Sequence, residues 1–185
     1  MDKKRIVILN GPPGCGKDTI GGALLGIRSG CVLTSFKYDL YRVTAEHYRM
    51  ELEELLRVAQ DRELKEEVHP SLGVTPREAL IHVSEDICKP RLGKGYFGVK
   101  ALQRVESIKY LNEVIFTDGG FTEEVEVFLA AGYEVVIVQL HGRGSFEHDS
   151  RRYIEIDHPD CTIHKVQLVD GQVHQGVLSV MEALG

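Results

Sequence analysis

The chain predicts an α/β fold, a mainly parallel sheet of about five strands with helices on both faces. Two observations carry this. Strand-length apolar runs alternate with helix-length amphipathic stretches along the 185 residues, as a parallel sheet requires. The first run, Arg5-Ile6-Val7-Ile8-Leu9-Asn10, leads straight into Gly11-Pro12-Pro13-Gly14-Cys15-Gly16-Lys17-Asp18-Thr19 and then a helix. This is G-x-x-x-x-G-K in its expected strand–loop–helix setting.

Residues 6–9 read as a strand buried on both faces,. Residues 18–28 form the first helix, with Ile20, Ala23, Leu24 and Ile27 on one face. Gly21, Gly22 and Gly26 weaken that helix, and close packing against the sheet would account for them,. Residues 31–35 form the second strand, and a helical stretch over 38–67 breaks near Met50. Thr75-Pro76-Arg77-Glu78 is a helix start, with Thr75 as cap, Pro76 in the first turn and Glu78 closing a capping box,. That helix carries Leu80, Val83 and Ile87 inward and stops near Lys89-Pro90. Residues 93–98 read as a loop and 99–108 as a helix. The strand at 114–117 ends in Asp118-Gly119-Gly120. A helix at 123–131, a strand at 133–140, a polar loop at 142–150, a strand at 163–169 and a closing helix at 173–184 complete the pattern.

One domain is expected at this length, with a helical acceptor region over about 38–110 and a short lid over about 141–152. Hydrophobic residues make up 43%, which excludes a disordered chain. No run approaches a membrane span or a signal peptide, so a cytoplasmic protein without a membrane partner is expected. Cys15, Cys31, Cys88 and Cys161 are scattered and read as reduced thiols,. His158, Cys161 and His164 match no structural zinc spacing,. The net charge of −6 is uneven: residues 89–109 hold six basic side chains against the single acid Glu106. A homodimer remains open.

The loop fixes the ligand class. Successive backbone N–H groups and a helix N-terminus form a concave anion site, and Lys17 adds a positive charge,. A nucleotide polyphosphate is the expected guest, with Lys17 bridging its β- and γ-phosphates. Asp18 stands where a Ser or Thr is usual, so Thr19 is the candidate for the magnesium shell. Asp18 either serves the reaction or is a first-turn carboxylate favoured by the helix dipole. Asp118, ending an apolar strand, is a second candidate for magnesium, against a plain turn residue,. Arg77, with Lys89 nearby in sequence, is a candidate clamp for an acceptor phosphate,. Arg143, Arg151 and Arg152 flank the glycine-containing lid and are either phosphoryl-reaching or exposed.

These residues resemble phage-type deoxynucleoside monophosphate kinases, within the P-loop kinase superfamily that includes adenylate kinase. The matching pieces are the loop with its Lys-Asp-Thr triplet, Ser35-Phe36-Lys37, residues 75–80, residues 93–97 and residues 117–124. The resemblance implies a P-loop kinase fold, ATP as donor, magnesium as cofactor and a nucleoside monophosphate as acceptor, with Ser35, Lys37, Arg77 and Lys89 on the acceptor side. It also implies a host-cytoplasm location if the chain is phage-encoded.

Two departures stand out. The Arg that usually follows the strand-end Asp is replaced by Gly119-Gly120, and His148-Asp149-Ser150-Arg151-Arg152 is atypical for the lid. They raise a second acceptor, the hydroxymethyl group of 5-hydroxymethyluracil in phage DNA. A hydroxyl acceptor must lose its proton, and Asp39, or less clearly Asp18, is placed to take it. A nucleotide-binding regulator without transferase activity is the third reading, and the arginines argue against it.

Overall fold

The structure is a computed structural model describing residues 4–147 and 149–185; Met1, Asp2, Lys3 and His148 lie outside the described residues. The sheet is the expected one. β1 (Arg5–Asn10), β2 (Cys31–Thr34), β3 (Glu113–Phe116), β4 (Val135–His141) and β5 (Cys161–Gln167) lie in the order β2-β3-β1-β4-β5, every pairing parallel. Ile8 of β1 lies between Phe116 of β3 and Ile137 of β4.

Alternation along β1 explains the layers. Ile6 and Ile8 face a core that includes Phe116, Phe128, Val135 and Ile154, covered by α6 (Tyr96–Ser107) and α7 (Thr122–Ala130). Val7 and Leu9 face the opposite core with Ile20, Leu24, Val177 and Val180, from α1 (Lys17–Ile27) and α8 (Val173–Leu184). Two smaller cores join α2 (Lys37–Tyr48), α3 (Leu52–Gln60) and the helices that follow. All four cysteines are free. Among the described residues no helix is long and apolar enough to cross a membrane, and no group of three His, Cys, Asp or Glu could hold a metal.

Several local expectations need correction. Ile27, the last residue of α1, is 56% exposed rather than packed with Ile20 and Leu24. Of the α1 glycines only Gly21 is packed: a Cβ there would lie 2.6 Å from Thr117 Cγ2 and 2.8 Å from Leu33 Cδ1, while Gly22 and Gly26 face open space. Tyr96 and Phe97 belong to α6 rather than a loop.

The helix capped by Thr75 does not stop at Pro90. α4 (Pro76–Ile81) continues as a π-helical stretch, His82–Cys88, into α5 (Lys89–Leu92). The Lys89 N–H donates to Ser84 O, five residues back. A proline lacks an N–H and crowds the preceding turn, and the widened turn carries the helix past it. Pro76, Ala79, Val83, Ser84 and Cys88 are the buried positions, with Leu80 and Ile87 only half-buried.

Gly21→Ala is expected to lower the free energy of unfolding by about 1–3 kcal/mol through overpacking. Gly22→Ala, with open space for its methyl group, is expected to raise it by roughly 0.5–1 kcal/mol. Urea denaturation midpoints check both, and equal shifts would contradict the packing difference.

Candidate functional site at the ends of the strands

β1 delivers the phosphate loop. Gly14 and Gly16 take φ of +74° and +109°, which L side chains rarely adopt. A Cβ on Gly11 would lie 2.8 Å from Cys15 Sγ. α1 begins at Lys17, and its first-turn N–H groups lack intrahelical acceptors,. Lys17 Nζ donates to Gly11 O at 2.6 Å and Pro12 O at 2.7 Å and lies 3.7 Å from Cys15 Sγ. Burial lowers the pKa of its ammonium, which Cys15 partly opposes and the Arg151 charge reinforces. Pro12 is buried, while Pro13, Asp18 and Thr19 are exposed at the loop's mouth. Beside the loop, Gly16, Thr19, Arg143, Val169, Gln172 and Val173 line a narrow crevice. Arg143 Nη2 meets Asp170 Oδ1 at 2.8 Å there.

β3 ends at the second part of the site. Asp118 accepts the Phe36 N–H at 2.8 Å and the Lys37 N–H at 2.9 Å, one on each carboxylate oxygen. It pins the start of α2 to β3 and faces that helix's positive end. Burial nevertheless raises its pKa against those two bonds and the Lys37 charge. The expected magnesium candidate therefore already holds a structural post. Lys37 has its pKa lowered by burial first and by Arg151 next. Its ammonium has no hydrogen bond or ion pair among the described residues.

The third part comes from the stretch after β4. Asn10, fully buried at the end of β1, donates to Gly119 O at 3.0 Å and Arg152 O at 2.9 Å, and its Oδ1 accepts the Ile154 N–H at 2.9 Å. Gln139 Nε2 adds a bond to Ile154 O at 2.9 Å. The expected lid over 141–152 is thus not one open loop. His141 ends β4, Gly144 packs so that a Cβ would lie 2.6 Å from Pro13 O, and residues 151–154 are tied down.

Arg151 is a fixed group rather than a free lid arginine. Its Nε and Nη2 hold Asp149 at 2.8 and 2.7 Å. That pairing keeps the Asp149 carboxyl at a pKa of about 2. A Cβ on Gly120 would lie 2.6 Å from both Cβ and Cγ of Arg151, and one on Gly119 would lie 2.1 Å from Ile8 Cγ2. Of the glycines that replace the expected arginine, Gly120 leaves room for the Arg151 stem and Gly119 for the Ile8 side chain. The guanidinium reaches this neighbourhood from residue 151, where the charges of Lys17, Lys37, Asp118 and Glu124 all act with it.

The other predicted residues lie apart from this group or are occupied. Asp39 is buried and paired with Arg104 Nη1, while Arg104 Nη2 donates to Ser35 O at 2.7 Å. Lys89 Nζ bonds Glu85 at 2.6 Å and sits 4.1 Å from the centre of the Phe121 ring. Arg77 is exposed and pairs with Glu66 at 3.1 Å. The structure does not bring it to the cluster. Arg152 points its chemistry outward, with only its backbone engaged at the Gly120 turn. Asn10, Asp149 and Glu124 were missed in sequence. Only Glu124 carried a local signal, an acid on the Phe121–Val125–Phe128 stripe of α7.

A phosphate loop on the central strand of a parallel β2-β3-β1-β4-β5 sheet, with helices on both faces, defines an α/β protein of the phosphate-loop class,. No family model and no curated protein matches the chain. Among solved structures, a shikimate kinase from Bacteroides thetaiotaomicron aligns over 98% of both chains at 15% identity with a TM-score of 0.42. That likeness is too distant to transfer a residue's role.

Asp149 gives a pH prediction. Its folded pKa of about 2 lies below the ordinary 3.8. The stabilisation is therefore fully present above about pH 4 and lost as pH falls towards 2, on the order of 2 kcal/mol. Asp149→Asn should lower stability by that amount at pH 7 and match the wild type near pH 2. Chemical denaturation across pH checks this, and a constant gap between the two proteins would contradict it.

Proposed function

We propose that the chain is a magnesium-dependent kinase that moves the γ-phosphoryl group of ATP to a (deoxy)nucleoside monophosphate. The convergence of Lys17, Lys37 and Arg151, each within the others' field, carries this reading. One lysine serves a bound triphosphate. An unpaired second lysine on α2 and a fixed arginine beside it suit the phosphate of a second substrate.

Each residue's role follows from its position. The loop N–H groups and Lys17 hold the donor's phosphates, with Lys17 exchanging its bonds to Gly11 O and Pro12 O for phosphate oxygens. The crevice beside Arg143, Val169 and Val173 offers a flat cation and apolar walls to the donor's base. Magnesium is usually held by one or two protein oxygens together with substrate phosphates. The exposed Thr19 hydroxyl fits that role, and Asp118, its oxygens engaged by Phe36 and Lys37, fits only through water. Bound magnesium would neutralise charge on the phosphates. Lys37 and Arg151 hold the acceptor phosphate, whose oxygen forms the new bond to the γ-phosphorus as the bond to ADP's oxygen breaks. That acceptor is already ionised and needs no base. The alternative acceptor, a hydroxymethyl group in DNA, does need one, and Asp39 is neutralised by Arg104.

Transfer of labelled γ-phosphate from ATP to nucleoside monophosphates and to duplex DNA containing 5-hydroxymethyluracil tests the assignment. Label is expected in a free diphosphate. Lys17→Ala should lower kcat by about 10³-fold with the fold intact. Lys37→Ala should raise the acceptor KM about 10–100-fold with the ATP KM little changed. Label only in DNA would replace the acceptor assignment, and label nowhere would leave a nucleotide-binding protein without transferase activity.

A further inference from the structure

The groove beside α5 has no part in the chemistry described so far. It encloses about 410 Å³ and is lined by Glu85, Lys89, Pro90, Lys94, Phe121 and Glu123. Clefts that hold small molecules run from roughly 300 to 1,000 Å³. The charges along this one cancel. Lys89 Nζ meets Glu85 at 2.6 Å, and Lys94 Nζ lies 3.9 Å from Glu123. What remains is the Phe121 ring and the Pro90 ring, which are apolar and flat. Two lysines already paired with carboxylates offer little to a free anion, whereas the walls suit an uncharged planar group.

Phe121 is half-buried, so part of its surface faces the groove. The Lys89 ammonium lies over the ring, 4.1 Å from its centre. Such a contact is a weak attraction of a cation for an aromatic face. The chain's own side chain thus covers the surface on which a flat guest would stack. The bond to Glu85 gives that ammonium a place to remain when it leaves the ring.

The groove begins one residue away from the cation cluster. Phe121 follows Gly120, on which the Arg151 stem packs, and consecutive Cα atoms are about 3.8 Å apart. The Glu124 carboxyl, in the first turn of α7, feels the charges of both Lys89 and Arg151, which places the two on either side of that turn. A phosphate held by Lys37 and Arg151 and a flat group held on Phe121 are then the two ends of one small molecule. A nucleotide has this make-up, with an anionic phosphate at one end and an aromatic plane edged with donors and acceptors at the other. The Glu85, Glu123 and Lys94 side chains supply acceptors and donors to such an edge,.

We propose that the acceptor's nucleobase stacks on Phe121 and displaces the Lys89 ammonium from that ring. This rests on the kinase reading, which puts the acceptor's phosphate at Lys37 and Arg151.

The chain contains no tryptophan, so Phe121→Trp installs a single fluorophore on the groove wall. Its emission is expected to be quenched, saturably, by a deoxynucleoside monophosphate. Deoxyribose 5-phosphate, which lacks a base, and ATP are expected to leave it unchanged. In the transfer assay Phe121→Leu should raise the acceptor KM about 10–100-fold, with the ATP KM within about twofold, and Phe121→Tyr should restore it to within about threefold of the wild type. Lys89→Ala, which clears the ring, should leave the acceptor KM unchanged or lower. Absence of quenching by a monophosphate that Phe121→Trp phosphorylates overturns the inference, as does an unchanged acceptor KM in Phe121→Leu. Should the Trp variant not fold, the Leu and Tyr pair decides alone. A rise of about tenfold or more in Lys89→Ala overturns the displacement, because Lys89 then holds the acceptor itself. Quenching only by duplex DNA containing 5-hydroxymethyluracil overturns the free nucleotide as occupant. Quenching by a monophosphate that the wild type does not phosphorylate upholds the groove and overturns the kinase reading, so the two fail separately.

Discussion

The carboxamide of Asn10 is the constraint on which the site depends. It sits at the end of the central strand with no exposure, and its donors and acceptor are shared among Gly119, Arg152 and Ile154. Those partners belong to the two connections that, with the phosphate loop, build the site. A buried amide left unsatisfied is costly, so the loop, the strand-end turn and the tied segment hold one arrangement together. No apolar residue of that size makes the same three bonds. The positions of Arg151 over Gly120 and of Asp118 under α2 follow from that knot.

Electrostatics then sets the character of the cluster. Lys17 and Lys37 lose proton affinity mainly by being taken out of water, and Arg151 adds to the effect on both. Asp149 balances Arg151, and Asp118 partly balances Lys37. The remaining positive potential lies where the loop N–H groups converge. Holding like charges together without a ligand disfavours the folded state, and bound polyanions relieve it. Affinity and stability are therefore linked, because a ligand that binds the folded state stabilises it.

Sequence reading was strongest where local chemistry decides. The phosphate loop, the capping box at Thr75 and Glu78 and the closing helix Val173–Leu184 are all present where expected. Each is written in a few consecutive residues. The bonds made by Asn10 and Asp118 were opaque because their partners lie more than eighty residues away, and the packing of Arg151 on Gly120 because it too joins separate connections. Arg77 shows the limit of a local signal. Its capped helix is a strong local signal, but a cap says where a helix begins and nothing about which way its first turn faces. The structure turns Arg77 to Glu66 and the solvent. Gly119-Gly120 reads in sequence as an absent arginine; in the fold Gly120 makes room for Arg151 arriving from elsewhere and Gly119 for Ile8.

The π-helical stretch His82–Cys88 has a consequence for how this region tolerates change in length. A π turn holds one more residue than an α turn over nearly the same rise. The helix from Pro76 to Leu92 therefore carries a spare residue in the middle of its course. Losing one residue there would let the backbone settle into ordinary α geometry with little loss of hydrogen bonding. The rest of the helix would keep its facing, because the wider turn fits its extra residue into the same rotation. Lys89 would still lie over Phe121. The same deletion in a regular α-helix would swing everything beyond it by about 100°. The wide turn is therefore a tolerance in length that leaves the course of the chain beside the groove unchanged.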